Sequence, residues 1–293
     1  MSETPLNAIT VDVEDYYQVS AFNDAVDRKD WGSKPSRVVA NTQRLLDLFA
    51  EFDVKGTFFT LGWVAERHPE LVRAIHAAGH EVACHGYSHK LIYEQSPEEF
   101  HDETFKAKAL LEEAAGVEVK GYRAASYSIT KRSLWALDTL VEAGFDYDSS
   151  IFPVHHDRYG IPDSPRHPYQ LQAPNGGSLV EFPITTSRVA GVKLPVAGGG
   201  YFRLFPYWLT RMGLARVNNV EHRPFVFYLH PWEVDPDQPR IEASRLSKFR
   251  HYNNLDKCEP RLRRLLADFP MGRMDHALAA LEFSPTPLQL SAA

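Results

Sequence analysis

The sequence alternates between short apolar runs and longer segments in which apolar residues recur at helical spacing. Seven runs have the length and composition of strands, at residues 8–13, 56–61, 81–84, 121–125, 147–151, 179–184 and 225–229. Strand–helix alternation requires parallel strands joined by crossover helices. The sequence therefore predicts an α/β fold, a distorted (β/α)7-type barrel that has one strand fewer than a regular eight-stranded barrel.

Local signals mark the ends of the helices between these strands. Ser96 is followed by Pro97 and Glu99, which predicts a helix with serine as N-cap and proline at its first position. Gly116 follows the last apolar residues of that pattern and predicts its end. Beyond residue 152 the pattern becomes irregular and rich in Pro and Gly. We expect one domain over residues 1–293, with an irregular C-terminal elaboration at about 152–293.

Composition excludes several classes of partner. The formal net charge is -6 and no long basic run occurs, which argues against a nucleic-acid partner or an anionic membrane surface. No window approaches the roughly 18 apolar residues of a membrane span. The first residues lack a basic stretch followed by an apolar one, so no signal peptide is predicted. With two cysteines in 293 residues, a cytoplasmic protein is the simplest expectation.

Polar residues follow five of the predicted strands at the point where each strand ends. These residues are Asp12 and Glu14, His85 and His89, Arg123 and Tyr127, Asp148, and His230. Because chemistry in parallel α/β folds lies at the carboxyl ends of the strands, they are expected to converge. Taken alone, the two histidines could be incidental and the acidic segment could be a solvated turn. However, Asp12 interrupts an apolar run, where an unpaired charge would be costly.

Two histidines and one carboxylate with an open position form the ligand set of a hydrolytic metal site, usually zinc. Asp12 and Glu14 alternate onto the same face of their strand, which suits a base beside a ligand. A separate histidine, such as His230, could protonate the leaving group. The segment around His85 and His89 is therefore interpreted as half of a metal site, completed by the acidic segment of the first strand.

Together these residues resemble the NodB-type polysaccharide deacetylases, carbohydrate esterase family 4. The matching segments are Asp12-Val13-Glu14-Asp15, His85-Gly86-Tyr87-Ser88-His89, Gly121-Tyr122-Arg123-Ala124-Ala125-Ser126-Tyr127, Tyr147-Asp148-Ser149-Ser150 and Leu229-His230-Pro231. Most of the family has adjacent aspartates followed by Gly in the first motif. The form found here is similar to the branch of allantoinase-like enzymes and peptidoglycan deacetylases.

The resemblance to that branch implies a role for each site residue. Asp12 would be the base, and Glu14, His85 and His89 would bind the metal. A gapless alignment would instead make Glu14 the base and Asp15 the ligand. Other roles are implied as follows: Arg123 orients Asp12 and Asp148, a backbone N–H near Tyr127 helps to hold the oxyanion, and His230 is the acid. Tyr127, Tyr201, Arg203 and Trp232 are the implied substrate-binding residues.

The implied activity is metal-dependent removal of acetyl groups from N-acetylhexosamine units, with an N-acetylated glycan as partner. Zinc is the expected cation, with cobalt or nickel as alternatives. The segment 198–203 and the Pro-Trp-Glu segment at 231–233 resemble a subfamily associated with exosortase and exopolysaccharide gene sets. Two rivals remain open at this point. One is an allantoinase-like hydrolase of a small cyclic amide or ureide. The other is a non-catalytic carbohydrate-binding barrel, which predicts broken ligands, whereas His85, His89 and His230 are intact.

Overall fold

The structure is a computed structural model, which describes residues 4–156, 158–189, 191–284 and 286–291. The strands are β1 (Asn7–Val13), β2 (Thr57–Thr60), β3 (Glu81–Cys84), β4 (Gly121–Tyr122), β5 (Tyr147–Asp148), β6 (Tyr169–Gln172), β7 (Ser178–Glu181), β8 (Thr186–Val189), β9 (Val192–Pro195), β10 (Val226–Leu229) and β11 (Met271–Gly272). The α-helices are α1 (Val38–Glu51), α2 (Gly62–Arg67), α3 (Pro69–Ala77), α4 (Pro97–Ala115), α5 (Ala136–Glu142), α6 (Gly199–Leu204), α7 (Tyr207–Asn219), α8 (Arg245–Tyr252), α9 (Leu255–Asp268) and α10 (Met274–Ala279).

Seven strands form a continuous parallel sheet in the order β10-β1-β2-β3-β4-β5-β7. The antiparallel strand β6 extends the sheet beyond β7, and β11 pairs with the start of β1. The sheet is curled and remains open between β7 and β10. At the β10 edge a bridge joins Gly198 to Tyr228. This arrangement confirms the predicted (β/α)7-type barrel. It also explains the irregular sequence beyond residue 152, which supplies the strands and loops at the open side.

Side-chain alternation divides each parallel strand between two hydrophobic layers. The inner layer, enclosed by the curled sheet, includes Ala8, Phe59, Ala83, Tyr147 and Tyr228. The outer layer, packed against the helices, includes Ile9, Phe58, Cys84, Tyr122 and Leu229. Neighbouring residues of a strand therefore belong to opposite layers. This alternation decides which polar side chains at the strand ends can reach the mouth of the barrel.

The predicted boundaries are accurate where the signal is local. Strand β3 has its predicted limits, and the Ser96 hydroxyl accepts a hydrogen bond from the Glu99 N–H at 3.1 Å as helix α4 begins. The helix ends at Gly116, whose φ of 72° lies in the left-handed region that glycine favours. Strands β4 and β5 are shorter than predicted, with two residues each. Within the described ranges, no helix combines the length and apolarity that crossing a membrane requires.

Candidate active site

The two histidines of the site extend from the turn that follows β3. His85 is the first residue after the strand, on its inner face, and its Nδ1 lies 2.8 Å from the Arg123 carbonyl oxygen. Because a carbonyl only accepts hydrogen bonds, Nδ1 of His85 is the donor and its Nε2 lone pair is free for a ligand. The turn is held by Arg28, which donates to the carbonyls of Ser88 and His89 at 2.8 and 3.0 Å.

Glu14 meets the two histidines at the end of β1. Ligand atoms of Glu14, His85 and His89 all lie within 4.8 Å of one another, and all three residues are buried. Glu14 Oε2 lies 2.9 Å from His89 Nε2, but the two are not aligned for a hydrogen bond. This oxygen and His89 Nδ1 are both buried without a hydrogen-bond partner in the described parts of the chain. Buried oxygen and nitrogen atoms that lack hydrogen-bond partners and lie in a compact group are suited to bind a divalent cation.

The protonation states of the group also suit a cation. Burial raises the pKa of Glu14, but the charges of His89, His230 and His85 outweigh it and lower that pKa to about 2. Burial lowers the pKa of His85 to about 4. At neutral pH the group therefore offers an ionised carboxylate and a neutral imidazole, which are the forms that bind metal ions.

Asp12 lies on the same inner face of β1 as Glu14 and is paired with Arg123. The Asp12 carboxylate accepts a hydrogen bond from the Arg123 guanidinium at 2.6 Å, and both side chains are buried. The same guanidinium donates to Thr10 at 2.7 Å and to Ser149, and it packs on the Phe59 ring at 4.1 Å. These contacts fix the position of one Asp12 oxygen. The other oxygen lies 3.9 Å from His230 Nε2.

His230 follows β10 and faces the carboxylates of β1 across the mouth of the barrel. Its Nε2 lies 3.7 Å from Glu14 Oε1, while its Nδ1 lies 2.8 Å from Glu233 Oε1. Burial lowers the pKa of His230, but the bond to Glu233 and the charges of Glu14 and Asp12 raise it to about 9. A protonated imidazole therefore lies opposite Asp12.

One cavity of about 490 Å³ contains Asp12, Glu14, His85, His89 and His230 in its lining. Its wall also includes residues from several loops and helices of both halves of the chain, among them Tyr127, Tyr159, Tyr201, Leu246 and Phe249. Leu246 and Phe249 are more than half exposed on α8, at the rim of the cavity. The cavity thus combines a polar floor with a largely apolar rim, as in sites for organic ligands.

The expected role of Asp148 is not supported by its position. Asp148 is adjacent to the inner residue Tyr147 and therefore points to the outer side of β5, away from the cavity lining. Its carboxyl accepts a hydrogen bond from Ser150 and lies beside Glu181, its partner in the ladder with β7. Burial raises the pKa of Asp148 to about 6 and also raises the pKa of Glu181 well above its usual value. Arg123 bonds to Ser149 and makes no hydrogen bond to Asp148 in the described structure.

Two expected substrate-binding residues have other partners. Arg203 is 2% exposed, and its guanidinium donates to Glu233 and to the carbonyls of Arg250, His251 and Asn253. Arg203 is part of the cavity lining, but its donors are occupied by the protein, which does not support the expectation that it binds substrate.

Trp232 is also buried, although it forms part of the cavity wall. Its indole N–H donates to Glu14 at 3.2 Å, and its ring stacks between His230 and His251 at 5.0 and 4.0 Å. It supports a candidate metal ligand instead of presenting a free face to a sugar. The Tyr127 N–H, expected near the oxyanion, donates to the Ala124 carbonyl at 3.1 Å. The Tyr127 and Tyr201 side chains do line the cavity.

The structure separates the two alternatives for the acidic segment. Asp15 accepts hydrogen bonds from Ser36 Oγ and from the N–H groups of Arg37 and Val38, at 2.7, 2.8 and 3.2 Å. Asp15 therefore caps the start of α1, where the first backbone N–H groups have no acceptor within the helix. Glu14, not Asp15, lies beside His89. The gapless alignment, which would make Asp15 the ligand, is contradicted by this geometry.

Sequence reasoning missed Glu233 and the true partner of Arg203. The signal for Glu233 was present, because it follows His230 by three residues and a short helical turn brings such residues together. No comparable signal joins Arg203 to Glu233, since the two are 30 residues apart in the chain and meet only in the tertiary structure.

An open (β/α) barrel with a buried His-His-Glu group at its mouth defines a class of metal-dependent hydrolases. Residues 21–146 match the polysaccharide deacetylase family, and residues 149–279 match a domain of unknown function, DUF3473. This part of the chain is thus similar to the family that its motifs resemble. That match includes His85, His89 and Arg123, whereas Asp12 and Glu14 lie before it and His230 lies in the second region. The extent of the single domain stays a prediction.

Curated relatives support the same family over part of the chain. A peptidoglycan-N-acetylglucosamine deacetylase of Bacillus cereus is 29% identical over 120 residues, which are 37% of this chain and 44% of that protein. A peptidoglycan deacetylase of Helicobacter pylori is 32% identical over 114 residues, 39% of this chain and 37% of that protein. The chain spans less than half the length of these relatives.

Solved structures support the fold over nearly the whole chain. A protein from Mycobacterium smegmatis described as a putative polysaccharide deacetylase aligns with a TM-score of 0.60 at 24% identity, over 98% of this chain and 95% of that one. The Puue allantoinase aligns with a TM-score of 0.59 at 18% identity, over 93% of this chain and 88% of that one. Both likenesses show the fold alone, because identity is below 25%.

Proposed function

We propose that this chain is a metal-dependent deacetylase that hydrolyses the N-acetyl groups of N-acetylhexosamine units in a polysaccharide or oligosaccharide. The observation that carries the proposal is the shared cavity, whose lining includes the Glu14, His85 and His89 group together with Asp12 and His230. The deacetylase relatives support an N-acetylated glycan as substrate. The resemblance of the 198–203 segment points to an exopolysaccharide precursor.

Glu14, His85 and His89 would hold the cation, and two imidazoles with one carboxylate favour zinc. A bound zinc ion would polarise the acetamide carbonyl and lower the pKa of water from about 15.7 toward 7. The chain itself prepares this donor set. The Arg123 carbonyl fixes the tautomer of His85, and the Trp232 indole holds one oxygen of Glu14.

Asp12 is the base in the proposed reaction. It accepts the proton of the attacking water, while the ion pair with Arg123 keeps its carboxylate in place. His230 acts on the opposite side of the acetamide group. Its Nε2 donates a proton to the departing nitrogen as the C–N bond breaks, because an amine anion is a very poor leaving group. The products are acetate and a free amino sugar.

Acetate release from a panel of N-acetylated glycans, combined with metal analysis, tests the proposal. We expect one zinc ion per chain and acetate release that requires it. Ring opening of a ureide such as allantoin without acetate release from any glycan would replace the proposal with the allantoinase-like activity. Metal binding without hydrolysis of either class would favour the non-catalytic reading.

A further inference from the structure

His230 is fixed from behind by a buried carboxylate. Glu233 Oε1 lies 2.8 Å from His230 Nδ1 and also accepts the His230 backbone N–H at 3.1 Å. Glu233 is fully buried. An ionised carboxylate has only acceptor atoms, so Nδ1 of His230 carries the hydrogen of this bond. The other nitrogen, Nε2, is therefore the one that faces Asp12 and Glu14.

Glu233 is in turn held by Arg203. Glu233 Oε2 accepts a hydrogen bond from Arg203 Nε at 2.5 Å, between two side chains that are at most 2% exposed. Burial raises the pKa of Glu233, but the charges of Arg203 and His230 outweigh it and lower that pKa to about 2. The remaining donors of Arg203 bond to carbonyls at the end of α8, at 2.8 to 3.0 Å. Glu233 thus has a fixed position and a fixed charge.

The other acidic candidate for orienting the histidine is Asp148, since its motif places it at a strand end near the site. Asp148 points to the outer side of β5, bonds to Ser150 and lies beside Glu181. It makes no ion pair with His230 within the ranges that the structure describes. Ser149, the inner residue that follows Asp148, accepts a hydrogen bond from Arg123 instead.

We propose that Glu233 is the positioning residue of the proton donor His230, that Arg203 holds Glu233 in place, and that Asp148 does not have this role. This inference rests on the proposed deacetylation. Glu233 acts by accepting from Nδ1, which fixes the tautomer and the ring orientation so that Nε2 is aimed at the leaving nitrogen. A merely structural Glu233 would affect all substrates equally, whereas a positioning residue affects only those that need an acid.

The test compares an N-acetyl amide with an acetate ester of a good phenolate leaving group, which needs little protonation. We expect Glu233→Gln to lower amide kcat by a factor of order 10² to 10⁴, the usual worth of an oriented acid, and to lower ester turnover much less. In a His230→Ala background the same change should add no further amide loss. The amide-to-ester ratio is insensitive to the fraction of protein that is folded.

A matched control is Glu81→Gln, which changes another buried glutamate. Glu81 lies at the start of β3, at the opposite end of the barrel, and accepts a hydrogen bond from Tyr147 at 2.8 Å. We expect it to leave the amide-to-ester ratio unchanged. An Asp148→Asn variant that reproduces the amide-selective loss, or a Glu233→Gln variant with an unchanged ratio, would overturn the proposal.

Imidazole nitrogen and proton NMR gives a readout that does not depend on any substrate. The Nδ1–H signal of His230, assigned by its loss in His230→Asn, should be present in the wild type and absent or shifted upfield in Glu233→Gln. An unchanged signal refutes the contact itself. If the wild type releases no acetate while this signal behaves as expected, the deacetylase proposal fails and the Glu233–His230 contact stands on its own.

Discussion

Two buried arginines hold the two sides of the cavity, and they do so differently. Arg123, at the end of β4, bonds directly to the proposed base Asp12, and it also donates to Thr10 on the same strand as Asp12 and to Ser149 at the end of β5. Arg203, on α6, is linked to the proposed acid His230 through Glu233. The base side is thus built within the sheet, and the acid side depends on helices from the second half of the chain. The partners of Asp12 therefore come from strands and strand ends, whereas the position of His230 depends on Glu233 in the turn after β10 and on Arg203 in α6.

The largest effect is expected from removing the proposed metal site, which both sides of the cavity share. The His85→Ala, His89→Ala double variant should lose its bound divalent metal and all measurable turnover, because only Glu14 would remain of the three ligands. Metal content per folded chain checks this. The Asp15→Asn variant serves as the control, since Asp15 caps α1 and should leave the metal in place. Undiminished metal in the double variant would remove the proposed site.

On the base side, Asp12→Asn should keep the fold and the metal but lower turnover by a factor of order 10² to 10⁴. Asparagine can still accept from Arg123, so the loss would come from the missing base. Amide and ester should be affected alike, because both need an activated water. A loss confined to the amide would assign Asp12 to the leaving-group side and remove the contrast between the two halves.

On the acid side, His230→Ala should depress amide hydrolysis by a similar factor while the metal content stays intact. An acetate ester with a phenolate leaving group should suffer far less, since that group leaves without a proton. Parallel assays of both substrates on the same preparation check the difference. Equal losses, or loss of metal, would instead indicate that His230 acts as a ligand or through packing.

Smaller effects should follow from replacing the arginines themselves by lysine, which keeps the charge but not the planar set of donors. Arg123→Lys should lower amide and ester turnover together, whereas Arg203→Lys should lower amide turnover selectively. Each should also reduce the free energy of unfolding by about 1–3 kcal/mol, because buried acceptors lose their donors. Chemical denaturation and the two assays measure both quantities. If the two variants showed the same relative losses on amide and ester, the division into a base side held by Arg123 and an acid side held by Arg203 would be refuted.

The fold was predictable because its signals are local. Strand β3 and the start of α4 at Ser96 depend on a few consecutive residues, and the structure places both as predicted. Strands β4 and β5 were predicted too long, because their pairing ends at Tyr122 and Asp148, where the chain leaves the ladder. The residues that follow, Arg123-Ala124-Ala125 and Ser149-Ser150-Ile151, give no clear local signal for the exact end of the pairing.

The part of the site that depends on the alternation of side chains along a strand was predictable from the sequence. Asp12 and Glu14 share a face, and the structure places both in the cavity. The same rule, applied to Asp148 and its neighbour Tyr147, would have placed them on opposite faces, but one sequence does not reveal which faces inward. Arg203 could not be assigned, because a guanidinium at a cavity wall is equally suited to a substrate and to a buried carboxylate. Only its partners distinguish these.

The hydrogen bonds from Arg203 to the end of α8 limit how this protein can be redesigned. Leu246 and Phe249, at the rim of the cavity, belong to the helix whose last carbonyls Arg203 holds. Exchanging that helix with one from a relative, to change the specificity of the proposed deacetylase, would also disturb Glu233. A segment that is exchanged between relatives must therefore include more than the residues at the rim of the cavity. A graft needs α6, α8 and the His230–Glu233 turn together, or its new specificity will come with a misdirected proton donor.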